Sequence, residues 1–305
     1  MTTNTHTEAR PETATVPTAG ASLRPRGTDP RPRGRLRRLA GAAPGVYVGI
    51  GLLALLLVFT VVGPLLRPFG PYDSDSMPLL GPNATNWLGT DDLGRDTFVR
   101  LAVAARTSLA VSFFTALIAA LIGTALGLLA GLWGRWVDAT LMVIVELMLA
   151  IPAILLALCA VTVFTGSVPT VIAVLALAAI PEFARLVRAR CLELRELDFI
   201  HSARVSGVAS WRIALRHLVP NTLPVIAVQF ANTAAISILL EASLSYLGLS
   251  VQPPIPSWGL MIFEAQNYMA ESPWLAISPL LTILALSVGW GLIGESLAAR
   301  RRSIV

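Results

Sequence analysis

Six apolar stretches dominate the chain, near residues 46–66, 108–132, 140–164, 168–187, 222–247 and 274–297. Each has about the twenty residues that a helix needs to cross ~30 Å of hydrocarbon. A backbone in lipid must satisfy its own hydrogen bonds, so runs of this length are expected as membrane-spanning helices. The overall balance agrees, because 55% of the 305 residues are hydrophobic and 13% are charged, against roughly a quarter charged in soluble domains. The expected fold is an all-α integral membrane protein with six transmembrane helices. The fourth stretch is the most interrupted, since Pro181 and Glu182 fall inside it and Arg185 sits near its inner end.

All 23 basic residues are arginines, and their distribution supports an even number of spans. Inner loops collect basic residues and outer loops do not. With the N-terminus inside, eight arginines precede the first span, Arg135 lies between spans 2 and 3, seven run from Arg185 to Arg216, and Arg300, Arg301 and Arg302 close the chain. Nineteen of the 23 are then cytoplasmic, and the outer segments 165–169 and 248–273 have none. The exceptions, Arg67, Arg95, Arg100 and Arg106, share the loop between spans 1 and 2 with Asp73, Asp75, Asp91, Asp92 and Asp96. An odd number would place the terminal arginine triplet outside. The chain thus divides into a basic, disordered cytoplasmic arm (1–44), a membrane domain (45–299) and a basic cytoplasmic tail (300–305). Arg37-Arg38 before an apolar run also suggests a twin-arginine export signal, but that run is of spanning length and no small-residue cleavage site follows promptly.

Several chemistries are excluded by residue type. With no lysine, the chain has neither a phosphate-binding Walker lysine nor a Schiff-base amine. Cys159 and Cys191 lie in unlike surroundings and suggest no disulfide framework, and His6, His201 and His217 lack metal-ligand spacing. The net charge of +5 is accounted for by topology rather than by nucleic-acid binding.

Local patterns add detail. Gly123, Gly127 and Gly131 recur every fourth residue, which puts them on one helix face and invites a close helix neighbour. Pro152 removes a backbone donor in the third span and should bend it, serving either as a gate or as a tolerated kink. Glu146 and Glu241 are carboxylates inside apolar runs, read either as pathway or gating contacts or as interhelical hydrogen bonds, the second being favoured for Glu241. Trp258 and Trp274 are expected at the outer interface.

The cytoplasmic segment 195–221 is longer than two adjacent helices require. It divides at Gly207 into a first helical piece from Asp198 to Val205 and a second whose Val208, Trp211, Leu215 and Leu218 share one apolar face. Asn221 or Thr222 should then cap the fifth span.

The run from His201 through Ser202, Ala203 and Gly207 to Pro220 resembles the EAA loop of bacterial ABC importer permeases, with His201 where that family usually has Glu. The resemblance implies a coupling helix seated on an ATPase subunit, with Phe199, His201, Ser202, Ala203 and Gly207 at the contact. Two further stretches, Gly89 to Asp96 continuing to Arg106 and Glu241 through Gln252 to Leu260, resemble the peptide and nickel branch, specifically its second, C-type permease. From the first, Asp91, Gly94, Arg95, Asp96 and Arg106 are carried over as an outer-side motif near the partner permease or docked binding protein.

What this resemblance implies is a type I ABC importer permease fold in a bacterial inner membrane, with both termini cytoplasmic. The implied partners are a homologous second permease, one or two cytoplasmic ATPase subunits that bind ATP and Mg²⁺, an extracytoplasmic substrate-binding protein and membrane lipid, with no nucleic acid. This chain would hold no catalytic group, cofactor or metal, and the best-matched cargo is a di- or oligopeptide. Two rivals fit less well. An ion-coupled secondary transporter would show internal repeats, and an intramembrane enzyme would need paired aspartates, a Ser-His pair or a His-Glu-x-x-His motif.

Overall fold

The computed structural model describes residues 34–302 except Asp75, Phe164 and Thr165. The expected arm therefore lies outside the described residues up to position 33, as do residues 303–305 of the tail. The described residues form helices α1 (Gly34–Val62), α2 (Thr97–Trp133), α3 (Arg135–Leu149), α4 (Ala153–Val163), α5 (Val168–Arg195), α6 (Asp198–Val205), α7 (Ser210–Ile213), α8 (Val219–Tyr246), α9 (Trp258–Ala265) and α10 (Trp274–Arg302). Extended pairing among them is limited to one isolated bridge between Thr90 and Asp96.

Among the described residues, five segments are long and apolar enough to cross a membrane: Pro44–Leu66, Thr97–Trp133, Val168–Arg195, Ser210–Tyr246 and Trp274–Arg300. The remaining apolar stretch is broken rather than merely bent, because α3 and α4 meet at 78°, the geometry of a broken span or a re-entrant loop. Pro152 explains the break. It cannot donate to the turn before it, and it drives the preceding Ile151 away from helical dihedrals. Its carbonyl then starts α4 by accepting from Leu155 and Leu156.

Three boundaries differ from the hydropathy reading. The helix of the first span begins at Gly34, within the stretch read as arm. α2 begins at Thr97, eleven residues before its apolar run, because Asp96 caps it and polar side chains of its first turns are buried against the outer loops. α5 continues to Arg195, since its last turns pack Cys191 and Leu194 against Ile200, Ile213 and Leu218 of the following loop.

The glycine face of α2 meets α5. A Cβ at Gly123 would lie 2.5 Å from the Phe183 Cβ, one at Gly127 2.6 Å from the Ala184 carbonyl oxygen, and one at Gly131 2.6 Å from the Cys191 Sγ. Only hydrogen fits there, and close backbone approach lets dispersion contacts accumulate where lipid offers no hydrophobic drive. A second cluster ties α1, α2, α8, α9 and α10 together through Leu56, Leu101, Ile238, Trp258, Met261 and Leu286. Trp258 is thus fully buried and donates from Nε1 to the Leu101 carbonyl at 3.1 Å, so it is a core residue and not an interfacial anchor.

Candidate functional site

The segment between α5 and α8 forms a small knuckle under α2 and α5. α6 ends in a Schellman turn: Gly207 has φ +74°, and the Val208 amide reaches back to the Ala203 carbonyl at 3.1 Å. Ala203 and Val208, the two residues that usually touch in such a turn, both pack against the cluster of Cys191, Leu194, Ile200, Ile213 and Leu218. Leu128 and Leu132 of α2 close that cluster from above, which ties the knuckle to the glycine-faced helix.

Between α7 and α8 the chain makes a π turn, Ala214–Leu218. The turn changes which residues face inward. At a spacing of five, Ile213 and Leu218 stack on one side and are buried, while Trp211 and Leu215, expected beside Leu218, are 56% and 62% exposed. The expected cap of the fifth span is absent for the same reason. The helix runs through, and Asn221 Nδ2 and Thr222 Oγ1 donate backward to the His217 and Leu218 carbonyls, each at 2.7 Å.

The opposite side of the knuckle is left uncovered. Phe199, Val205, Trp211 and Leu215 are exposed, as are His201 and Ser202, and the Phe199 ring lies 6.0 Å from that of His217. Ser202 Oγ donates to the Asp198 carbonyl at 2.9 Å and Ser206 Oγ to the Ser202 carbonyl at 2.8 Å, so these hydroxyls fasten α6 to itself. The candidate residues Phe199, His201, Ser202 and Ala203 thus share one short helix, which Gly207 terminates.

At the other end, the outer motif folds into a charged clasp. Asp91 Oδ1 accepts from the Leu93 and Arg95 amides, while Oδ2 accepts from Arg95 Nε at 2.6 Å and from Arg100. Arg100 also reaches Glu264 of α9 at 2.8 Å, and Arg95 lies 3.6 Å from the same carboxylate. Asp96 is 2% exposed; its Oδ1 accepts from the Val99 amide at 3.0 Å and its Oδ2 from Asn86 Nδ2 at 2.9 Å. Gly94 turns the loop at φ +77°, where a Cβ would stand 2.1 Å from the Ser76 carbonyl. Burial pushes the Glu264 carboxyl above its usual 4.5, against the downward pull of Arg100 and Arg95.

Asp91, Gly94, Arg95 and Asp96 are therefore brought together, and Arg106 is not. It bonds the Thr60 carbonyl from Nε and NH2 at 3.2 and 3.1 Å, satisfying a carbonyl near the end of α1. Sequence reasoning missed Arg100 as a member and Glu264 altogether. A separation of 164 residues hides the pair, and the only signal was one carboxylate in the otherwise apolar run Trp258–Ala265.

Of the two carboxylates in apolar runs, Glu241 is fully buried and accepts from Ser245 Oγ at 2.7 Å. Ser257 Oγ then donates to Ser245 Oγ at 3.0 Å and accepts from the Leu260 amide, which links α8 to the start of α9. Glu146 lies on the exposed side of α3, one turn before the break, apart from Glu241's chain of hydroxyls.

Residues 123–303 match the family described as binding-protein-dependent transport system inner membrane component. The chain is similar to the dipeptide transport system permease protein DppC of Alkalihalophilus pseudofirmus, with 38% identity over 82% of this chain and 83% of that one. It is also similar to the glutathione transport system permease protein GsiD of Pectobacterium atrosepticum, with 40% identity over 83% and 85% of the two chains. Among solved structures it resembles an inward-facing conformation of the MetNI methionine ABC transporter, with a TM-score of 0.53 and 20% identity, covering 67% of this chain and 95% of that one. Together with its broken and unbroken apolar helices, these matches place the chain in the family of binding-protein-dependent transport system inner membrane components, as a multi-pass permease subunit of an ABC importer.

Proposed function

We propose that this subunit forms half of the pathway of a peptide importer and receives its free energy through α6. The observation that carries the reading is the knuckle: α6 and the π turn, locked to the bundle by Ile200, Ile213 and Leu218, leave Phe199, Val205, Trp211 and Leu215 exposed for a partner. That partner is a cytoplasmic ABC ATPase, one or two copies of which bind ATP and Mg²⁺. A rigid lever suits the task, because nucleotide-driven closure can move the bundle only if the contact does not yield. Both termini and α6 then lie in the cytoplasm. A homologous permease supplies the other half of the pathway, and a binding protein delivers substrate to the outer face, where the clasp of Asp91, Arg95, Arg100 and Glu264 holds the loop rigid. Peptide cargo is supported by the names of the dipeptide and glutathione permeases above.

Replacing Ala203 by proline tests the coupling. Proline inside α6 removes a helical hydrogen bond and costs about 3 kcal/mol locally, while the membrane helices keep their own contacts. The expected outcome is loss of uptake and of substrate-stimulated ATP hydrolysis in an assembled complex. Normal stimulation by Ala203→Pro would refute the assignment of α6.

A further inference from the structure

α5 carries two unlike faces. Phe183, Ala184, Val187 and Cys191 are buried toward α2, whereas Glu182, Arg185 and Ala189 are exposed on the other side, with Leu186 half-buried between them. The exposed stripe faces a groove of about 320 Å³ that is completed by Gln229 of α8, a volume at the lower end of the roughly 300–1,000 Å³ typical of small-molecule sites.

Depth makes this stripe informative. Glu182 is fourteen residues from Val168, the outer end of α5, hence about 21 Å along the helix and within a hydrocarbon core of ~30 Å. A carboxylate at that depth does not face acyl chains without a large cost, so its surroundings are water or protein. Gln229 Nε2 donates to Glu182 Oε2 at 2.8 Å across the groove and lies 3.4 Å from Thr233 Oγ1, which holds the carboxylate against α8. Arg185, one turn further in, forms no ion pair with the described residues and keeps its guanidinium donors for an incoming acceptor.

We propose that the Glu182, Arg185 and Gln229 groove is a solute-contacting stretch of the translocation pathway that selects zwitterions, with Glu182 receiving an ammonium and Arg185 a carboxylate. The inference rests on the importer reading above and names the chemistry of its cargo. Opposite charges three residues apart on one helix face suit a small molecule carrying both signs, such as a short peptide with free ends. Leu186 and Ala189 supply an apolar wall for its side chains.

The test uses the whole complex, with ATPase and binding protein, reconstituted in liposomes. Uptake of glycyl-leucine is compared with that of glycyl-leucinamide, which lacks the carboxylate, and of N-acetylglycyl-leucine, which lacks the ammonium. Because one binding protein serves every variant, its preference cancels from the change in each ratio. Arg185→Gln should lower the free-to-amide ratio about tenfold, the size of one lost charge-assisted hydrogen bond. Glu182→Gln should lower the free-to-acetyl ratio by a similar factor. If wild type carries a blocked peptide too slowly to measure, the matching variant should bring free-peptide uptake down toward that level. Unchanged ratios, or a parallel fall of all three substrates, would overturn the inference, the second outcome marking the face as a packing surface against the other permease. ATP-driven uptake by the wild type tests the importer reading separately and survives either result.

Discussion

The two ends of the molecule anchor their loops by opposite means. The outer clasp is polar and closed: Asp91, Arg95, Arg100 and Glu264 pair with one another, and Asp96 caps α2. The inner knuckle is apolar and half-finished, since Ile200, Ile213 and Leu218 plug it into the bundle while Phe199, Val205, Trp211 and Leu215 stay uncovered. A loop that satisfies its own charges is built to hold a shape. One that leaves large apolar side chains uncovered is built to meet another apolar surface, of lipid or of a partner.

The largest effect is expected from removing the centre of the clasp. Asp91→Ala removes the carboxylate shared by two buried guanidiniums and leaves them chiefly to Glu264, and breaking such a network costs about 3–5 kcal/mol. The melting temperature of the purified complex should fall clearly, and a change within error would show that the clasp carries no stability. In the knuckle, Ile200→Ala removes a fully buried side chain at a cost of about 2–4 kcal/mol. That loss should appear as faster amide exchange confined to α6 and the π turn, together with weaker coupling; exchange spread evenly over the bundle would contradict a local plug.

Gly207→Ala is smaller and more specific. A Cβ there meets nothing within 4 Å, so the cost is only the left-handed backbone, about 1 kcal/mol. A larger loss would mean that the Schellman turn is not the main role of Gly207. Trp211→Ala should leave stability within about 0.5 kcal/mol, as surface changes do, yet weaken ATPase association in a pull-down. Undiminished association would remove Trp211 from the contact.

The least effect belongs to pH. Because burial raises the Glu264 carboxyl above 4.5, the native state keeps a proton that the unfolded chain has already released. Stability contributed at Glu264 therefore falls as pH rises from 4.5 through its raised native value, and Glu264→Gln should flatten that slope. An unchanged slope would mean that other groups set it.

Much of this architecture was legible in the apolar runs and arginines, because lipid imposes a length on every span. The α2 face of Gly123, Gly127 and Gly131 announced a neighbour, although only the fold identifies it as α5. Pro152 announced a bend, while its size, 78°, is given only by the fold. The knuckle was legible at Gly207, where a positive φ demands glycine. Its inward face was not, because a single π turn replaces the three-and-four spacing with five and puts Ile213, instead of Trp211 and Leu215, beside the expected Leu218. The Arg100 to Glu264 pair was invisible for a different reason: partners 164 residues apart leave no periodicity.

The central claim is that α6 stands in the cytoplasm beneath an ATPase. Its most direct test places a single thiol by Ser202→Cys in a chain whose Cys159 and Cys191 are replaced by alanine, then applies a membrane-impermeant maleimide to intact cells and to inverted vesicles. Labelling is expected only in inverted vesicles, reduced when the ATPase is bound. Labelling of intact cells would put the knuckle on the wrong side of the membrane and contradict the claim.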